Sequence, residues 1–208
     1  MSAMSREPSH RNVNLAAVAV ALSAHFQLGV QMAFVNPAAD TMTRFLAEAT
    51  DRAYALTLSP DHLRWLWSLF VGLIFLGAFV GAVILAPILE RMRIGQTTTL
   101  RLGAESVLLF LSLSPIGIVF HRPELLFISR FGVGLSIGLQ ATVGGVFCEE
   151  IAPAQKSGRL GCTASLLMNI GVLLGGILDL PQLLGSNVNL IALLLLLESI
   201  PATLLLAL

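Results

Sequence analysis

The sequence predicts an all-α, polytopic membrane protein built from six spanning helices. Three observations carry that prediction. Of the 208 residues, 56% are hydrophobic and only 12% are charged, about half the charged share of an ordinary soluble domain. The charges are unevenly placed and leave apolar runs of about 20 residues, the length a helix needs to cross about 30 Å of hydrocarbon. Polar connectors rich in Arg, Glu, Pro and Gly separate the runs, as turns between helices should.

The elements follow in order. Residues 1–12 form a polar, mildly basic tail, expected on the cytoplasmic side, and the apolar run behind it is too long for a cleaved signal and lacks a small-residue cleavage site. The bundle occupies residues 13–208, with a first span at about 13–35 that ends at Asn36-Pro37, where proline disfavours helix in the residue before it. A long loop carrying Asp40, Arg44, Glu48, Asp51, Arg52, Asp61 and Arg64 leads to Trp65 and Trp67, aromatic residues of the kind found at membrane interfaces. The second span is expected at about 66–89, followed by the connector Glu90-Arg91-Met92-Arg93. The third, about 102–120, is interrupted by Glu105 and Pro115, and the turn His121-Arg122-Pro123-Glu124 precedes a glycine-rich fourth span at about 125–148. The fifth and sixth are expected at about 160–178 and 188–208.

Arg6, Arg11, Arg91, Arg93, Arg101, Lys156 and Arg159 fall on one side of this arrangement, which the excess of Lys and Arg in short cytoplasmic loops makes the cytoplasmic side. The formal net charge is zero, so no basic field exists to attract nucleic acid. Cys148 and Cys162 lie in or beside apolar stretches and read as buried packing thiols, not as a disulfide or metal site. No Ser/His/Asp set, carboxylate pair, phosphate-binding glycine loop or metal-ligand spacing appears, so neither an enzyme nor a cofactor is expected.

Within the spans, Gly77-x-x-x-Gly81, Gly134-x-x-x-Gly138 and Gly171-x-x-x-Gly175 are spacings that let helices approach closely in lipid. Polar groups there must face a partner or water. Gln27 and Gln31 share one face of the first helix, with Asn36 near it, and Gly161, Ser165 and Asn169 form a second stripe on the fifth. Two readings stand side by side: a hydrophilic cavity, or hydrogen bonds between helices. Glu105 and Glu198 are either proton sites or carboxylates that reach an interface, and Arg130 is expected to act as a structural ion-pair partner.

Taken together, several stretches resemble the facilitative glucose-transporter branch of the sugar porters, in the major facilitator superfamily. The first helix carries Phe26-Gln27-Leu28-Gly29 and ends in Asn36, the second opens on Trp67-Ser68, and Glu90-Arg91 stands where the family has an acidic or amide residue before arginine. Arg130-x-x-x-Gly134-x-x-x-Gly138 followed by Glu150-Ile151-Ala152-Pro153 is the most specific match, and Gly158-x-x-Gly161, Gly171-Val172-Leu173 and Ile200-Pro201-Ala202 continue it. The resemblance implies the N-terminal six-helix bundle of that superfamily's fold, one half of a carrier that moves a hexose or similar sugar by facilitated diffusion and alternating access, in the plasma membrane. It implies that Asn36 and Ser165 bond sugar hydroxyls, that Gln27 or Gln31 assists, and that Met168 and Val172 line the site. It also implies a cytoplasmic gate of Glu90, Arg91, Glu150 and Arg159, with Arg130, Gly134, Gly138 and Pro153 structural.

Departures from the family pattern accompany it. Met92-Arg93-Ile94 replaces Gly-Arg-Arg, Ser157 stands where an arginine is usual and leaves Arg159 or Lys156 to pair with Glu150, and Ser165 replaces a glutamine that contacts sugar. The partners expected are a sugar, the bilayer, and a second copy or a C-terminal-half partner. The alternative function is a non-transporting membrane protein that acts by associating with a full-length relative or another partner. Proton-coupled transport through Glu105 or Glu198 is a third possibility.

Overall fold

The computed structural model describes residues 10–33, 35, 38–151, 157–180, 183 and 187–207, and all of its regular structure is helical. In chain order the helices are α1 (His10–Ala21), α2 (Gln27–Ala33), α3 (Ala39–Tyr54), α4 (Pro60–Val80), α5 (Ala86–Arg91), α6 (Gln96–Val119), α7 (Pro123–Ile151), α8 (Ser157–Leu178), α9 (Val188–Leu197) and α10 (Ser199–Ala207). A π-helical turn, Leu22–Phe26, joins α1 to α2, and another, Gly81–Leu85, joins α4 to α5. Among the described residues, five stretches are long and apolar enough to cross a membrane: Pro60–Arg91, Gln96–Val119, Pro123–Glu150, Gly161–Leu178 and Val188–Ala207. A shorter apolar helix, Ala17–Ala33, lies against them.

Sequence and structure differ at four places, the simplest being Cys162, expected as a buried packing thiol but exposed on α8. The connector after the first helix, expected as a loop, is mostly α3, and its Met42, Phe45, Leu46 and Ala49 are buried. Their spacing of three and four residues puts them on one stripe, which packs on Phe70, Ile118, Leu126 and Ile191. Burial of that stripe holds a helix whose other faces carry Asp40, Glu48, Asp51 and Arg52. Neither Glu105 nor Pro115 interrupts α6; Glu105 is exposed on its surface, and beside Pro115 the buried Ser114 and Ser129 hydroxyls hydrogen-bond at 2.6 Å, tying α6 to α7. The last helix, by contrast, is broken at Glu198 into α9 and α10, because Pro201 has no N–H for the Leu197 carbonyl four residues earlier.

Helix ends follow local chemistry. Ser59 caps α4, its hydroxyl accepting the His62 N–H, with Pro60 at the first helical position, where a missing N–H removes no helical bond. The α6–α7 turn is short enough to force His121 to φ 51°.

Helix α7 is the central post, packed along α6 on one side and α4 on the other, while α8 packs on α2, and α9 and α10 pack on α6. The contact of α4 with α7 is reciprocal. A Cβ placed on Gly77 would lie 2.2 Å from the Phe131 carbonyl oxygen, and one on Gly81 2.1 Å from that of Leu135. From the other helix, a Cβ on Gly134 would lie 2.1 Å from the Ile74 oxygen and one on Gly138 2.1 Å from the Ala78 oxygen. Backbone touches backbone along two turns, so no side chain fits. Gly138→Leu is therefore expected to lower stability by about 1–3 kcal/mol or more, read as an earlier melting transition of the purified protein in detergent. Gly72, which has nothing within 4 Å of its Cβ position, provides the contrast: Gly72→Ala should leave the transition unchanged or raise it slightly.

Candidate functional site

The most polar place inside the bundle is built around Arg130. This residue sits two turns into α7, beyond the apolar Leu125, Leu126 and Phe127, and is 5% exposed. A guanidinium cannot lose its charge in a protein and is expensive in hydrocarbon, so the fold must bring acceptors to it. One Arg130 N–H donates to the Gln31 carbonyl oxygen on α2. The Gln31 amide N–H in turn donates to Glu198 Oε2, at the break between α9 and α10. Glu198 and Asp179 are the two carboxyl groups that act electrostatically on Arg130, and the guanidinium lies 4.6 Å from the centre of the Phe70 ring on α4. Phe70 is held by Trp67, stacked at 5.4 Å, and by Phe127, edge-on at 5.8 Å. Four helices and the turn after α8 thus converge on one cation.

A second polar contact lies farther along the same helix pair. The Ser23 hydroxyl donates to Gln140 Oε1 at 2.6 Å. Ser23, Gln27 and Gln31 recur every four residues and are 0%, 0% and 2% exposed, giving the first helix a buried polar edge against α7. Both side-chain amide atoms of Gln27, and Nε2 of Gln140, have no hydrogen-bond partner in the structure, so this edge has donors and acceptors to spare where it is most enclosed. The π-helical turn at Leu22–Phe26 begins this edge and sets the direction of Ser23.

The residues expected to face sugar are divided between two environments. Gln27 and Gln31 are sealed inside the bundle. Ser165 and Asn169 are exposed on α8, with the Asn169 amide donating to the Ser165 carbonyl at 2.8 Å. Val172 is exposed too, while Met168 is half-buried, and its carbonyl is among the α8 backbone atoms closing on Gly29 of α2. Asn36 lies outside the described residues, so the structure brings Ser165, Asn169 and Val172 to one face and leaves the glutamines behind them.

At the α5 end of the bundle, Glu90, Arg91 and Glu150 are all exposed. Glu150 accepts a hydrogen bond from the Gln96 amide at 3.0 Å, which ties the start of α6 to the end of α7. Pro153 and the side chain of Arg159 are outside the described residues. Gly134 and Gly138 form the α4 contact given above.

Sequence reasoning singled out Arg130, Glu198 and Gln31 one by one without joining them, and it passed over Asp179, Gln140 and Ser23. A signal for the join exists: one cation in an apolar run needs compensating anions, and the carboxylates standing in or at the ends of the other apolar runs include Glu198 and Asp179. Arg130→Ala would leave those carboxylates buried without their cation and should destabilise the protein by about 3–5 kcal/mol. The double variant Arg130→Met, Glu198→Met removes both charges and should recover a good part of that loss. Thermal unfolding in detergent compares the two, and a double variant no more stable than Arg130→Ala would mean that the charges are not coupled.

Comparison with known proteins places this architecture. The family model described as "Sugar (and other) transporter" matches residues 16–208. The chain is 30% identical over 173 residues to horse (Equus caballus) solute carrier family 2, facilitated glucose transporter member 5, covering 83% of this chain and 34% of that protein. It is likewise 30% identical over 174 residues to human (Homo sapiens) member 9, covering 83% of this chain and 32% of that one. Among solved structures, the inward-open conformation of the xylose transporter XylE from E. coli superposes with a TM-score of 0.65 at 17% identity, over 95% of this chain and 46% of that one. The chain therefore spans about a third of the length of these relatives and carries about half of the carrier fold. A bundle of membrane-length helices in that arrangement, with the family model matched along nearly its whole length, makes this chain a member of the sugar transporter family.

Proposed function

We propose that the chain works as the amino-terminal half of a sugar carrier in the plasma membrane, N-terminus in the cytoplasm, passing a hexose or similar polyol down its gradient by alternating access. The observation that carries this reading is the α8 surface. Ser165 and Asn169 stand exposed on a helix that is otherwise apolar enough to span a bilayer, whereas the interior polar groups are turned inward. Amide and hydroxyl groups facing hydrocarbon are unfavourable, so this face is made to be covered by a second bundle, with a polar ligand between the two.

Ser165 and Asn36 hydrogen-bond sugar hydroxyls in this reading, and Met168 and Val172 flank them. Gln27 and Gln31 support the wall from inside the bundle, Gln31 through its bonds to Arg130 and Glu198. Glu90, Arg91, Glu150 and Arg159 latch the cytoplasmic end as it closes. Binding and release need no cofactor, because nothing covalent happens to the sugar.

A second reading rests on the same exposed face: the chain associates with a full-length relative, or with another partner, and does not transport. Liposome uptake separates the two. The chain reconstituted together with a complementary six-helix half should give saturable hexose uptake that the chain alone does not give, and Ser165→Gln, with its longer reach and additional donor, should lower KM about two- to tenfold, the worth of one neutral hydrogen bond. Absence of saturable uptake in every pairing, with Ser165→Cys still crosslinking to the partner, would leave the non-transporting reading in place.

A further inference from the structure

The outer face of α6 carries a charge where lipid should be. Arg101 and Glu105 are exposed there, one turn apart, and among the described residues neither side chain has a hydrogen bond or an ion pair. The helix Gln96–Val119 has 24 residues, about 36 Å at 1.5 Å per residue, which puts Glu105 about 4 Å from its midpoint. The neighbouring helix gives the same depth. Gly103 faces Gln140 and Ser114 bonds Ser129, so Glu105 is level with about residue 138, near the middle of the apolar stretch Pro123–Glu150. With hydrocarbon about 30 Å thick, the nearer interface is about 11 Å away, farther than a glutamate side chain reaches.

Lipid cannot satisfy this group, because its tails carry no donor and its head groups stay at the interface. The face is also distinct from the one given to a second half: α6 packs on α7, α9 and α10, whereas α8 packs mainly on α2 and the π-helical turn before it.

The surroundings of Glu105 suit a helix. Leu102, Glu105, Leu109, Ser112, Ile116 and Val119 follow alternating steps of three and four residues, the repeat along which one helix packs on another. Ser112 is half-buried and the other five are exposed. Hydrocarbon would accept the leucines, isoleucine and valine of this stripe and would reject the carboxylate.

Charge selects the occupant. A partner of one sign would set like charge against either Arg101 or Glu105, whereas this face carries both signs itself. Every copy of the chain enters the bilayer in the same direction, so a twofold axis along the membrane normal sets one α6 beside another at equal depth. Arg101 of each copy then lies about 6 Å along the axis from Glu105 of the other, a distance its long side chain spans. The two glutamates sit at the seam with the two arginines flanking them, and the four charges cancel.

We propose that the outer face of α6 is the contact between two copies of this chain, with Arg101 of each paired to Glu105 of the other. The contact is separate from the α8 face assigned to sugar and stands whether or not the chain transports.

Charge exchange tests it, using the full chain reconstituted in liposomes and read by energy transfer between labelled copies. Arg101→Glu alone and Glu105→Arg alone should each weaken association at least tenfold, and the two variants mixed should recover most of that loss, because each offers what the other lacks. Glu105→Leu, which suits lipid, should by itself also weaken association at least tenfold. All three positions of change are exposed, so the melting transition in detergent should stay where it is. Leu109→Cys, in a chain that also carries Cys148→Ala and Cys162→Ala, should give a disulfide-linked dimer on oxidation of native membranes, and Leu76→Cys on α4 should not. Unchanged association of Glu105→Leu, no recovery in the mixture of stably folded charge variants, or Leu109→Cys linked only to another protein would overturn the proposal.

Discussion

One guanidinium governs the interior. Arg130 lies inside an apolar bundle, and a cation there is tolerable only when surrounded by acceptors and an electron-rich ring. Gln31, Glu198, Asp179 and Phe70 provide them from α2, the α9–α10 break, the turn after α8 and α4. Each provider comes from a different part of the chain, so satisfying Arg130 fixes how the first, second, fifth and last helical segments sit relative to α7. The pairing is reciprocal: Glu198 would be as costly alone as Arg130, and Gln31 bridges them by accepting from one and donating to the other. Specificity of assembly, more than net stability, is what such a cluster contributes, because apolar packing of similar volume often does as well energetically.

Close backbone contact is the second constraint, and it acts where the charge cluster does not reach. Glycines on α4 and α7 meet carbonyls of the opposing helix, and Gly29 on α2 meets Met168 and Val172 on α8 in the same way. Helices at this distance gain dispersion contacts along their whole shared length. They also leave no room for polar side chains between them, and the buried polar groups lie on other seams, between α2 and α7, between α6 and α7, and at the α9–α10 break.

Much of this was legible in the sequence, and what was not has physical causes. Apolar runs and their connectors showed the helical segments because hydrocarbon permits little else. Arg130-x-x-x-Gly134-x-x-x-Gly138 pointed to the family because it joins a costly charge to a close contact on one helix. Helix α3 was hidden, since its apolar residues Met42, Phe45, Leu46 and Ala49 are few and spread among charges, and only the shelf made by Phe70, Leu126 and Ile191 gives them something to bury against. Asp179 was hidden for a similar reason: a carboxylate just past a helix end reads as a solvated cap unless the buried arginine facing it is known. The two polar stripes were visible as stripes, but their directions were not. A period of four fixes residues on a common face and says nothing about which neighbour that face meets.

The direction of those stripes bears on how half of a carrier fold can act as a body. Alternating access by rocking requires each half to move without internal rearrangement. Here the strongest polar links, from Arg130 through Gln31 to Glu198 and from Ser23 to Gln140, all lie within the bundle and bind its own helices to one another. The exposed α8 face, in contrast, spends its polar groups locally, as in the Asn169 to Ser165 bond, and such a bond exchanges readily for a ligand hydroxyl or a partner helix. In the carrier reading proposed above, strong links inside and exchangeable ones outside are what a rigid half that parts from and returns to a second half needs. The reverse arrangement, with the charge cluster on the outer face, would weld two halves together and block the motion.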